Sequence, residues 1–254
     1  MRIKVLGAHM FESKDTRLSS ILIDDILVID AGGLTSGLTF TEQDRIEFIL
    51  LTHGHYDHIR DVPAIALKNQ HRTIGVYATQ FTLDILTAHL INGTVYPRFT
   101  EWPSPQKPAL KLKTLEPYQT VDIGGYSVTP VAVSHALEAV GYQIADKYGQ
   151  RIFFSGDTGA GLASCWEYIS PQIIIMDMSF SNESIDLTSG SGHLCPSLLR
   201  EELDSFQQIK GYLPKVIMTH LNPDVESEIR DEARQLAHEL GIEIALAYEG
   251  MVIT

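Results

Sequence analysis

The chain has only two cysteines in 254 residues, Cys165 and Cys195. Neither belongs to a CxxC pair, so no disulfide framework is indicated and two reduced, partly buried thiols are expected. No apolar run reaches the roughly 18 residues that a membrane span needs. Near the N-terminus, Glu12, Lys14, Asp15 and Arg17 arrive before a secretory core of sufficient length can form. A cytoplasmic protein without a membrane partner is expected. Positive charge is scarce too: 19 Lys and Arg stand against 32 Asp and Glu, for a formal net charge of -13. That balance repels a polyphosphate backbone, so long nucleic acid is not an expected partner. Low-complexity linkers are also missing. At about 150 residues per domain the length allows one large domain or two small ones, and the missing linker favours a single domain over 1–254.

What is there reads as strands separated by turns. Ile3–Leu6, Ser20–Ile23 and Ile26–Asp30 are strand candidates, with Asp24-Asp25 marking a tight hairpin between the last two. Ile46–Leu51 is another apolar run, followed at once by polar residues. Thr79–Leu90 reads as a helix, and Pro97, Pro103, Pro105 and Pro108 mark an irregular connection. Further strands are expected at Lys111–Leu115, Ser127–Val133, Tyr142–Ala145, Ile152–Phe154 and Ile173–Met176, and helices at Ser197–Ile209 and Glu226–Leu240. In the last of these Ile229, Ala233, Leu236 and Leu240 recur at helical spacing. Strands in both halves with helices between them predict an α/β architecture of four layers, sheet on sheet with helices outside.

Ten histidines occur, and three fall within His53-Gly54-His55-Tyr56-Asp57-His58. In an extended segment His53 and His55 project to one side, and a turn at Asp57-His58 aims two more ligands at a neighbouring point. Neither set completes the roughly four ligands zinc prefers. The missing groups are expected where later strands end: His135 after Val131-Ala132-Val133-Ser134, Asp157 after Ile152–Gly156, and His220 after Val216–Thr219. Taken singly, each would be an ordinary hydrogen-bonded residue. His9, His71, His89 and His238 lack such a context and are expected to be structural or superficial.

In this order the residues resemble the metallo-β-lactamase superfamily, whose HxHxDH motif is matched by Thr52-His53-Gly54-His55-Tyr56-Asp57-His58. The resemblance spans nearly the whole chain, because Val5-Leu6-Gly7 and Ile29-Asp30-Ala31-Gly32 are similar to that family's opening strands. It implies a four-layer αββα fold and two divalent ions: His53, His55 and His135 on one, Asp57, His58 and His220 on the other, and Asp157 shared. Asp30 is expected to support a ligand from behind.

A second segment, Met176-Asp177-Met178-Ser179-Phe180 followed by Ser191-Gly192-His193-Leu194, is similar to the phosphodiesterase branch containing RNase Z and the class II cyclic-nucleotide phosphodiesterases. The match to the cyclic-nucleotide enzymes includes Gly156-Asp157-Thr158-Gly159 and Thr219-His220-Leu221-Asn222-Pro223. There are two departures. Asp177 stands where Glu is usual, and the hexamer departs from the cyclic-nucleotide signature beyond its ligands. The branch implies Asp57, Asp177 and His193 as catalytic groups, with His193 the general acid and Asp177 its orienter.

Zinc is the default for an imidazole-rich set, while iron and manganese accept the same donors. Two ions sharing a hydroxide suit in-line attack on a small phosphodiester, such as a 3′,5′-cyclic nucleotide. The alternatives are a thioesterase or lactonase, which has no need of the Asp177 and His193 pair, and a di-iron oxygen-binding or redox protein. A homodimer is left open.

Overall fold

The computed structural model describes residues 1–253, with Ser189 by its backbone alone. Its contacts fall into two compact units. The first comprises Met1–Ala8, Glu12–Glu116 and the segment from Glu249 on; the second comprises His9–Phe11 and Pro117–Tyr248.

The first unit is built on a seven-stranded sheet in the order Val252–Ile253, Ile3–Gly7, Ser20–Ile23, Leu27–Ile29, Phe48–Leu50, Ile74–Ala78 and Leu110–Thr114. The early strands pair antiparallel, and from Leu27–Ile29 onward every pairing is parallel. The expected turn is present: Asp24 and Asp25 both take positive φ, 45° and 64°, and Ile26 N–H donates to the Ile23 carbonyl. Two left-handed central residues give the turn a twist that matches the flanking strands. Parallel strands need crossovers, and helices supply them. Val62–Lys68 joins Phe48–Leu50 to Ile74–Ala78, while Gln80–Ile85, continued by the π-helical turn Leu86–Leu90, leads toward Leu110–Thr114. Val62, Ile65, Ala66, Leu83 and Leu86 from these helices are buried in one cluster with Val28, Ile49, Ile74 and Val76 from the sheet. Each of the Val, Ile and Leu side chains contributes about 1.5–3 kcal/mol on burial.

The second unit also has a seven-stranded sheet, ordered Ile244–Leu246, Lys215–Thr219, Ile173–Asp177, Arg151–Phe154, Val140–Ala145, Tyr126–Ala132 and Val121–Ile123. Its first four strands are parallel and the rest antiparallel. Ile174, Met176, Val216 and Met218, alternating along two strands, are buried in one cluster with Leu199, Leu203 and Phe206 of helix Pro196–Lys210 and with Ile229, Ala233 and Leu236 of helix Glu226–Leu240. Each unit thus supplies one sheet and one layer of helices, an α/β composition as the sequence predicts.

Two local expectations change. The proline-rich stretch contains a minimal hairpin, Pro103–Ser104 against Lys107–Pro108, rather than irregular chain throughout. The anticipated turn at Asp57-His58 is a short helix, Tyr56–Ile59, with His55 as its N-cap. Both cysteines are buried and free. Burial pushes the Cys165 thiol up to about 11, which keeps it protonated and inert. Among the described residues no helix is long and apolar enough to cross a membrane.

Candidate metal centre and proton donor

In both units most of the chemistry-bearing residues lie where parallel strands run out at their carboxyl ends, the usual place for ligands in open α/β sheets; His135 instead follows the antiparallel strand Tyr126–Ala132, and His193 lies between helices Ile185–Ser191 and Pro196–Lys210. In the first unit Asp30 follows Leu27–Ile29 and Thr52-His53 follows Phe48–Leu50. Asp30 is fully buried and left-handed, with φ 58°. Its Oδ1 accepts the Thr52 N–H at 2.8 Å. Its Oδ2 accepts the Thr52 hydroxyl at 2.8 Å and lies 2.7 Å from His58 Nδ1. Because the Thr52 hydroxyl proton goes to Asp30, the hydroxyl oxygen accepts from His53 Nδ1, 3.0 Å away. One carboxylate therefore places the Nδ1 proton on two imidazoles and leaves a lone pair on each Nε2.

His53 Nε2 and His55 Nδ1 converge at 2.9 Å, and His58 Nε2 lies 3.5 Å from Asp57 Oδ2. Gly54 lets Ile85 pack against this segment, since a Cβ on it would sit 2.5 Å from Ile85 Cδ1. The helix turn that carries Asp57 and His58 is tied down by Ala31 N–H donating to the His58 carbonyl and Asp61 N–H donating to the Ala31 carbonyl.

The second unit repeats the device. Asp177, the last residue of its strand, is fully buried. Its Oδ1 accepts the Ser179 hydroxyl at 2.7 Å, while its Oδ2 accepts the Thr158 N–H at 3.2 Å and meets His193 Nδ1 at 2.5 Å. The Ser179 oxygen then accepts from His220 Nδ1 at 2.9 Å. His220, left-handed with φ 57°, presents its Nε2 3.4 Å from Asp157 Oδ1. His135 donates from Nδ1 to the Gly192 carbonyl at 2.9 Å, and its Nε2 lies 3.9 Å from Asp157 Oδ2. Gly192 is required here. It sits at φ 72°, and a Cβ on it would come within 2.8 Å of His135 Cα. The His193 and His220 rings stack, 5.3 Å between centroids and 11° apart.

Ligating atoms of Asp157, Asp177, His193 and His220 all lie within 4.8 Å of one another. Asp177, however, already accepts from Thr158, Ser179 and His193, which makes it a hydrogen-bond hub rather than an open ligand. The donor chemistry fits a divalent ion: His53, His58, His135 and His220 each have Nδ1 occupied by a backbone, hydroxyl or carboxylate partner, which is how metal-ligating imidazoles are held.

The structure therefore brings His53, His55, Asp57 and His58 together in the first unit, and His135, Asp157, Asp177, His193 and His220 together in the second. Of the histidines left aside, His71, His89 and His238 are exposed, while His9 is buried against Glu226. Sequence reasoning missed Ser179, which links Asp177 to His220. It also missed Glu202, a buried carboxylate that accepts from Gly161 N–H, Leu162 N–H and Trp166 Nε1 and so holds the loop after Asp157.

Comparison with known proteins places the chain. The Beta-lactamase superfamily domain matches residues 27–247, and the chain belongs to that superfamily. It is a hydrolase of the metallo-β-lactamase fold, with relatives named as phosphodiesterases and metal-dependent hydrolases. A probable 3′,5′-cyclic-nucleotide phosphodiesterase of Yersinia pestis is 24% identical over 237 residues, covering 82% of this chain and 68% of that one. A metal-dependent hydrolase of Polaromonas is 31% identical over 144 residues, 52% of this chain, and the chain spans half the length of that relative. The solved structure of unliganded yeast PDE1 superposes with a TM-score of 0.86 at 18% identity, covering 99% of this chain and 98% of that one.

Proposed function

We propose that the protein hydrolyses a small phosphodiester, of which a 3′,5′-cyclic nucleotide is the leading candidate. On this reading His53, His55 and His135 hold one divalent ion, Asp57, His58 and His220 hold a second, and Asp157 serves both; zinc is the default, with iron or manganese as alternatives. Bound ions of this kind activate water and offset charge on phosphoryl oxygens.

The observation that carries the reading is the bond from His193 Nδ1 to buried Asp177 beside an open pocket. Asp177 anchors His193 through Nδ1, so a proton delivered to a departing oxygen comes from Nε2 while Nδ1 stays held. Phosphoryl transfer to water needs such a donor when the leaving group is an alkoxide. The phosphodiesterase relatives support the same substrate class. The net charge of -13 favours a small substrate over a structured RNA.

The test is His193→Ala assayed on two diesters. A ribose oxygen leaves badly unless protonated, whereas p-nitrophenolate departs unaided. Turnover of a cyclic nucleotide should fall by about 10²–10⁴, bis(p-nitrophenyl) phosphate should be much less affected, and metal content should stay constant. Equal losses on both diesters would assign His193 to substrate binding, and lost metal would make it a ligand.

A further inference from the structure

Within the second unit a pocket of about 470 Å³ opens beside His193. That volume lies in the range of small-molecule sites. Ala160, Ile185 and Leu198 give it apolar wall, while Ser134, Thr188 and Asp186 are its polar side chains besides His193. The lining contains one carboxylate and neither lysine nor arginine. Asp186 lies in the first turn of helix Ile185–Ser191 and is exposed, with no hydrogen-bond or ion-pair partner described for its side chain. An ionised carboxylate can only accept hydrogen bonds, and it repels a second anion brought into the same pocket. Apart from the proton that His193 delivers to the leaving oxygen, the wall offers no positive charge, so it favours a neutral body that presents N–H or O–H groups over one that brings a further phosphate beside Asp186.

We infer that this pocket receives the organic body that carries the leaving oxygen, which in a cyclic nucleotide is the nucleoside still tethered to phosphorus by its other ester, and that Asp186 selects for a hydrogen-bond-donating body with no charge beyond the scissile phosphate while rejecting one that carries a further phosphate. The inference rests on the phosphodiesterase reading for its chemistry, and the pocket's preference is measurable without turnover.

The test uses the full chain with Asp186→Ala and Asp186→Lys in two assays. In the first, adenosine binding is followed by calorimetry. Removing the acceptor should weaken binding about tenfold, the scale of a hydrogen bond to a charged group. In the second, kcat/KM is compared for a cyclic nucleotide, bis(p-nitrophenyl) phosphate and a dinucleotide with a terminal phosphate. Asp186→Ala should raise KM for the cyclic nucleotide several-fold more than for the nitrophenyl diester, which offers no N–H or O–H to the carboxylate, and Asp186→Lys should improve the phosphate-bearing substrate. Diester hydrolysis that is indifferent to Asp186, with adenosine binding equally indifferent, overturns the selectivity and leaves the phosphodiesterase reading standing. Adenosine binding that depends on Asp186, in a protein that cleaves no diester, supports the pocket and overturns the reading.

Discussion

Each unit of the molecule contains one fully buried aspartate that governs two imidazoles, one through a direct Nδ1 bond and one through an intervening hydroxyl. Asp30 acts on His58 directly and on His53 through Thr52; Asp177 acts on His193 directly and on His220 through Ser179. The parts are nearly the same, and exposure is what differs. His58 has 0% of its side chain accessible, whereas His193 has 12% and borders a pocket. A sealed imidazole with a fixed lone pair is suited to a cation. One that meets solvent and a cavity can exchange a proton. The hub sets the tautomer, and access decides what the ring does with it.

Conservative changes at the two hubs test that division most strongly. Asp30→Asn should lower metal affinity about 10- to 100-fold, the usual cost of losing a partner behind a ligating histidine, as read by competition with a chelator. Asp177→Asn should lower metal affinity less, because it reaches a single proposed ligand, His220, and only through Ser179, and its larger effect should be slower turnover of poor leaving groups, because the proton donor persists but is poorly oriented. Matching metal loss in both variants would erase the distinction.

A smaller effect is expected at Glu202, which acts on the shape of the second unit rather than on its chemistry. Glu202→Gln should cost about 1–3 kcal/mol in denaturant unfolding, since an amide cannot accept from all three donors that the carboxylate serves. An unchanged midpoint would show that the loop holds without it.

The smallest effect belongs to the first unit, where Thr39 and Glu42 form a reciprocal capping box on helix Phe40–Gln43. Thr39→Ala should cost about 1 kcal/mol at neutral pH. The Thr39 N–H and hydroxyl hold the Glu42 carboxyl down to about 2. With a folded value below the unfolded one of about 4.3, the stabilisation is fully present above the unfolded value and is lost as pH falls toward 2. The gap between wild type and variant should narrow over that window.

The sequence makes strand-end residues legible because an apolar run followed by His or Asp is a local pattern. Asp30, His53, His135, Asp157 and His220 could all be placed that way. Ser179 could not, because Ser179-Phe180-Ser181-Asn182 offers two hydroxyls and nothing local ranks them. Only the fold brings this one to Asp177 and His220. Glu202 did leave a signal: it shares the inward face of Pro196–Lys210 with Leu199, Leu203 and Phe206, and an acid on an apolar stripe breaks the pattern where a buried partner exists. Helix Ile185–Ser191 was invisible for the opposite reason. Its two apolar side chains, Ile185 and Leu187, are exposed, so no amphipathic period marks it.

Strand Val252–Ile253 pairs antiparallel with Ile3 and Lys4. During synthesis, Ile3–Gly7 is made before the stretch Pro117–Tyr248 that forms most of the second unit, and its outer neighbour is made after. The first sheet must therefore wait with one flank bare while the ribosome adds the whole insertion, and at translation speeds of about 5–20 residues per second that interval lasts several seconds or more. Nascent chains stalled just short of Glu249 should thus expose a strand edge that the finished protein covers, making this interval the point at which a chaperone has most to protect.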